Sequence, residues 1–264
     1  MRILLTLVLS CQFIFGLRGE ENPSFSPSPL TFEKNQEALL NDTLNFAHKH
    51  QKFRELVFKQ NEGEFIRLIK EGQNPKMLFI GCSDSRVVPE LILNANPGDL
   101  FVIRTAGNFV PPLISQSFDG VSATIQYAVE VLNIPHIIVC GHSHCGAIRG
   151  LFQELDPKNL GLVQNWIKLG EEAKRLTLQI ATSSTPKEEI YGTAEEINVL
   201  IQLEHLLTFP FVKKGVQEGR ILLHGWYFNV EKGKLFFYDN EKNRFVPFIE
   251  SYLTHLAHPE CDLA

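Results

Sequence analysis

MLFIGCSDSR (77–86) and IIVCGHSHCG (137–146) are built alike: an apolar run, a glycine, then a short polar turn that carries cysteine or histidine. Unbroken apolar runs of this length read as strands buried on both faces, as in a parallel sheet. Both turns would then leave the sheet at carboxyl ends, where open α/β sheets place their ligands. Cys82, His142 and Cys145 are the natural metal ligands of the two turns. Two thiolates and one imidazole leave a tetrahedral zinc with an open fourth position, the arrangement of catalytic sites rather than structural ones.

Working outward, the rest of the chain alternates strands and helices. Residues 31–72 read as helical, with Asn41 or Asp42 as a cap, and their apolar residues need a covering partner. A short helix is expected over 89–94, a strand over 100–104 and a turn at Ala106-Gly107-Asn108. A helix over 118–132 leads to the strand at 136–141. Further helices are expected over 146–155, 159–181 and 193–207, the last opened by a capping box of Thr193 and Glu196. A strand over 221–227 and a hairpin turning at 231–234 finish the sheet. The pattern predicts an α/β fold, a mostly parallel central sheet flanked by helices, forming one catalytic domain over 31–264.

Composition narrows the functional classes. The chain has 264 residues, 44% hydrophobic and 21% charged, with a net charge of −5 and no basic stripe interleaved with aromatics. Nucleic acid is therefore not an expected partner. The 20 phenylalanines fall mostly in apolar runs and read as core. Five irregularly spaced cysteines in a chain this large do not make a disulfide framework. Cys140 lies inside an apolar run and reads as a free core thiol.

The amino terminus differs from the rest. One positive charge at Arg2 followed by the apolar run of 3–15 fits a secretory signal over 1–19, too short for a membrane span. Residues 20–30, rich in serine and proline, read as a disordered linker. Export is expected, to a periplasm in a Gram-negative source. Val8-Leu9-Ser10-Cys11 also loosely resembles a lipoprotein processing site, with Cys11 as the lipid acceptor.

The chemistry of the two turns can be argued from charge. Zinc with two thiolates and a neutral imidazole is formally neutral, so it acidifies water less than a three-histidine site does. Nearby groups must compensate. Alternate residues of an extended backbone share a side, which lets Cys82, Asp84 and Arg86 face one pocket. Arg86 can grip Asp84 bidentately and leave carboxylate lone pairs to accept a proton at the open position. With Arg86 released, Asp84 could reach the metal and close the site.

Together Cys82-Ser83-Asp84-Ser85-Arg86 and Gly141-His142-Ser143-His144-Cys145-Gly146 resemble the β-class carbonic anhydrase signature. The resemblance extends over 46–247, through Pro97-Gly98-Asp99, residues 104–108 (RTAGN) and His224-Gly225-Trp226-Tyr227. It implies reversible hydration of carbon dioxide to bicarbonate and a proton, one Zn2+ per subunit, and an obligate homodimer or a tetramer. It also implies Cys82, His142 and Cys145 as ligands, Asp84 and Arg86 as the catalytic pair, and Gln73, Phe101, Tyr127 and Gly146 as substrate-binding positions. One subgroup regulated by bicarbonate carries a tryptophan and a tyrosine where this chain has Phe79 and Phe228, keeping only Arg104 of that triad. The likeness is to the open-site subgroup.

Two other functions share this pattern. Hydrolysis of carbon disulfide or carbonyl sulfide occurs on the same fold and is separated by assay with those substrates. A non-catalytic bicarbonate-binding protein is expected only where Asp84 or a ligand is missing, and all are present. A structural zinc would recruit His144 as a fourth ligand, a role its place beside Cys145 disfavours.

Overall fold

The computed structural model describes residues 29–113 and 119–248. The expected signal segment and linker, with Cys11, lie outside them. The chain divides into two units at Gly63/Glu64.

The amino-terminal unit is helical: α1 (Pro29–Lys52), a wider π turn (Phe53–Phe58) and the start of α2 (Lys59–Glu71). Asn41 and Asp42 sit inside α1 rather than capping it. Helix-compatible residues on both sides let the chain run through them, and the helix instead starts at a proline, which loses no hydrogen bond there.

The second unit is built on one six-stranded sheet of order β2-β1-β3-β4-β5-β6. Its strands are β1 (Met77–Cys82), β2 (Leu100–Thr105), β3 (His136–His142), β4 (Leu222–Asn229), β5 (Lys234–Asp239) and β6 (Arg244–Pro247). The first four are parallel and the last two antiparallel. The strand β6 goes beyond the expected terminal hairpin. Four residues flanked by polar turns carry too little pattern to be read as a strand.

Alternation splits β1 and β3 between two cores. Leu78, Ile80, Ile137 and Val139 join a cluster with Ile125, Val199, Leu206 and Val212. These come from α4 (Gly120–Gln126), α8 (Lys187–Leu206) and α9 (Pro210–Gln217). Phe79, Ile138 and Cys140 face the other way, with Val87, Trp226 and Phe228. Removing a buried side chain such as Ile137 down to alanine would cost about 2–5 kcal/mol. Asp119 caps α4 by accepting from Ser122 N at 2.8 Å.

Three expected helices have different limits. The helix after Cys145, α5, covers only Gly146–Gly150. The 159–181 stretch divides into α6 (Pro157–Ile167), a 3-10 turn and α7 (Glu171–Ile180). The helix expected from Thr193 starts at Lys187, so Thr193 and Glu196 form no capping box. The short α3 (Pro89–Ile92) is close to its expected place.

Helix α8 lies tightly on the end of β3 because Gly141 has no side chain. A Cβ there would sit 2.7 Å from Val199 Cγ2 and 3.3 Å from the Glu195 carbonyl. This close approach brings the polar residues of α8 to the loops at the sheet's carboxyl end.

Candidate active site

Strands β1 and β3 are paired in register, Gly81 opposite Cys140, so they end side by side. Cys82 is the last residue of β1 and His142 the last of β3, and the turn after β3 returns Cys145 to them. The donor atoms of Cys82, His142 and Cys145 all lie within 4.8 Å of one another, and all three residues are buried.

The imidazole is set for a cation. His142 Nδ1 donates to the Ser143 carbonyl at 2.9 Å, which leaves Nε2 as the unprotonated nitrogen. That Nε2 is buried and has no hydrogen-bond partner among the described residues. A buried polar atom left unpaired costs about 1–3 kcal/mol, and a metal ion at the centre of the three residues removes that cost. The donor set suits zinc.

The sulfurs are prepared in the same way. Cys82 Sγ accepts backbone N–H bonds from Asp84 at 3.4 Å and Gly107 at 3.3 Å. Gly107 has φ +79, and a Cβ there would sit 2.6 Å from the Phe109 ring, so this approach requires glycine. The neighbouring Cys145 thiol holds the Cys82 thiol well below the usual thiol range, against the effect of burial. The proton the two share raises Cys145. A divalent cation held by these residues would take that proton's place. Cys140, by contrast, is fully buried and its thiol is pushed up by burial, as a core cysteine should be.

Asp84 and Arg86 meet beside the ligands. Arg86 donates from Nε to Oδ1 at 2.9 Å and from Nη2 to Oδ2 at 2.7 Å, and its backbone N–H reaches Oδ1 at 3.0 Å. The guanidinium holds the Asp84 carboxyl well below the usual carboxylate range. Arg104 fixes the backbone beneath, donating to the carbonyls of Cys82 at 3.0 Å and Asp84 at 2.6 Å.

The remaining expected positions are dispersed. Gly146 opens α5 directly after Cys145, with nothing within 4 Å of where a Cβ would stand. Phe101 stacks on Tyr127 at 5.9 Å, but it pairs with Leu78, four residues before Cys82. At the rise of a strand that is roughly 13 Å from the ligand end. Gln73 lies exposed ahead of β1. His144 is no ligand: its ring is tied to Glu231 and Arg149 instead.

Sequence reasoning missed Glu195. It is 3% exposed, accepts from Cys145 N at 2.8 Å and from Tyr227 Oη at 2.8 Å, and so supports a ligand's backbone from α8. Below it Asn198 donates to the Gly107 carbonyl and Gln202 accepts from Val110 N. A polar stripe at helical spacing, Glu195-Asn198-Gln202, was the available signal.

Comparison with known proteins agrees with this geometry. A family model described as Carbonic anhydrase matches residues 77–235. A carbonic anhydrase of Synechocystis sp. is 43% identical over 198 residues, 74% of this chain and 71% of the relative. One from Pseudomonas aeruginosa is 41% identical over 75% of this chain and 85% of its own. Among solved structures, the β-carbonic anhydrase CcaA superposes with a TM-score of 0.72 at 40% identity, covering 78% of this chain and 99% of that one. A tetrameric β-carbonic anhydrase of Sordaria macrospora gives 0.66 at 28% identity, covering 74% and 96%. With its Cys-His-Cys centre at the carboxyl end of a mixed sheet, the chain belongs to the carbonic anhydrase family, in its β class.

Proposed function

We propose that the chain hydrates carbon dioxide reversibly to bicarbonate and a proton at zinc held by Cys82, His142 and Cys145, with Asp84 and Arg86 as the catalytic pair. The observation that carries this reading is the buried, unpartnered Nε2 of His142 facing two thiols. Zinc bound there supplies a Lewis acid that makes water a nucleophile near neutral pH. Asp84 does the rest as an acceptor. Ionised and gripped by Arg86, it keeps lone pairs free to take an O–H at the open position and so aims the oxygen at carbon dioxide. Arg86 keeps that carboxylate charged and off the metal. The grip seen between Asp84 and Arg86 supports the open-site subgroup, as do Phe79 and Phe228 in the apolar cluster of the second sheet face.

Gln73, Phe101 and Tyr127 belong to this reading as substrate-pocket positions. Because Phe101 and Tyr127 lie at the far end of β2 from Cys82, they would meet a metal only across a subunit interface. A homodimer, or a tetramer built from it, is therefore part of the proposal. The exposed apolar residues Leu40, Leu44 and Phe46 of α1 support it. The apolar run of 3–15 supports export to the periplasm, with Cys11 as a lipid anchor if it is processed there. No helix among the described residues is long and apolar enough to cross a membrane.

The test is stopped-flow carbon dioxide hydration by the purified mature chain, together with its zinc content. Activity with one zinc per subunit is expected, and both should be lost in Cys82→Ser. Stoichiometric zinc with hydrolysis of carbonyl sulfide or carbon disulfide, and no hydration, would replace this reading.

A further inference from the structure

His144 stands between two ligands with φ +60, a left-handed backbone that a non-glycine residue keeps only where its surroundings hold it there. Its side chain is held on both sides. Nε2 is 2.8 Å from Glu231 Oε1, in the turn between β4 and β5, and Nδ1 is 2.9 Å from Arg149 Nη2. Arginine can only donate, so Nδ1 accepts and the ring carries its proton on Nε2, directed at Glu231. Arg149 is itself fixed from α8 by an ion pair with Glu188 and by the face of the Tyr191 ring, 5.2 Å away.

The backbone of the same residue reaches the catalytic pair. The His144 carbonyl accepts from Arg86 Nη2 at 3.0 Å, and that nitrogen also holds Asp84 Oδ2. Arg86 is 47% exposed. An ion pair with one partner so open to water is weakened by solvent, so a further acceptor adds to its hold. The His144 carbonyl gives the guanidinium an anchor beyond the carboxylate.

We propose that Glu231 and Arg149 are positioning residues of the reaction: by clamping the His144 ring from two elements, they fix the strained peptide whose carbonyl aims Arg86, and through it hold Asp84 off the metal. The inference rests on the reading of Asp84 and Arg86 as the catalytic pair. Glu231 sits in an exposed turn, so replacing it does not threaten folding.

Four variants, one of them double, and one spectrum test this. Glu231→Ala should lower kcat/KM roughly tenfold, the scale of outer-shell losses at metal sites. In the cobalt-substituted protein, its visible spectrum should move toward that of Arg86→Ala as Asp84 gains access to the metal. Glu231→Gln, which still accepts from Nε2, should recover most of both readouts. In an Arg86→Ala background, Glu231→Ala should add nothing. Wild-type activity and spectrum in Glu231→Ala, or a loss that multiplies with that of Arg86→Ala, would overturn the clamp. Wild-type activity in Arg86→Ala alone would overturn the catalytic pair instead.

Discussion

Glu195 joins Cys145 to Tyr227: one carboxylate oxygen accepts the Cys145 N–H and the other the Tyr227 hydroxyl, each at 2.8 Å and between buried residues. Burial raises the Glu195 pKa, while these two bonds and the nearby histidines pull the other way. A ligand's main chain is thereby tied to a helix and to β4 at once.

Glu195→Ala should therefore damage both the fold and the metal site. It leaves two buried donors unpaired, at about 1–3 kcal/mol each, and frees the Cys145 backbone, which should weaken zinc by roughly 10- to 100-fold. Tyr227→Phe removes one bond and should show a smaller loss of stability with zinc retained. Thermal unfolding and competition with a chelator measure the two. Unchanged zinc affinity in Glu195→Ala would show that Glu195 only packs.

The grip between Asp84 and Arg86 makes a separate prediction. Arg86→Ala should keep zinc and lose most activity, because Asp84 is then free to bind the metal. Asp84→Asn should also keep zinc, and its activity should fall about 10²- to 10⁴-fold, since an amide cannot take a proton. Loss of zinc in either variant would mean that the pair serves the ligand loops structurally.

The two loops were legible in the sequence because strands buried on both faces keep long apolar runs, and a polar turn straight after them has few uses besides a site. Glu195 was not legible. Its partners lie 32 and 50 residues away, and only the close approach allowed at Gly141 makes them neighbours. The sequence pattern places the start of its helix at Thr193, six residues late, because a serine/threonine-to-glutamate spacing imitates a cap wherever it occurs. The same limit hid the clamp on His144, whose charged arms come from α5, itself braced from α8, and from a hairpin turn 87 residues away.

The replaced aromatics predict the shape of the pH profile. Phe79 packs edge-on to Trp226 and is fully buried, and neither it nor Phe228 offers a hydrogen-bond donor to a bicarbonate ion. Activity should fall toward acid pH as a single non-cooperative ionisation, unchanged by added bicarbonate apart from product inhibition. A cooperative profile sharpened by bicarbonate would reverse the subgroup assignment and leave the zinc chemistry intact.

Assembly can be measured directly. Leu40, Leu44 and Phe46 are each at least half exposed along α1, too much apolar surface for a helix that stays in water. Sedimentation at micromolar concentration should give a dimer or larger species, and Leu40→Lys with Leu44→Lys should shift it toward monomer with loss of activity. A fully active wild-type monomer would remove the interface from the proposal.

The last prediction concerns acid stability and a pair far from the metal. His136 Nδ1 and His224 Nε2 are 3.1 Å apart at the start of β3 and β4. Burial, helped by the charge of His136, holds the His224 pKa down to about 4, against about 6.5 in an unfolded chain. The unfolded state therefore takes up a proton that folded His224 refuses. Above about pH 6.5 neither state is protonated and the group's contribution to stability is complete. As pH falls from there toward 4 that contribution is lost, at up to about 1.4 kcal/mol per pH unit. Urea unfolding at pH 7 and pH 5 should show wild type losing more stability than His224→Gln over that interval. Equal losses would mean that the imidazole is protonated in the folded protein as readily as in the unfolded one.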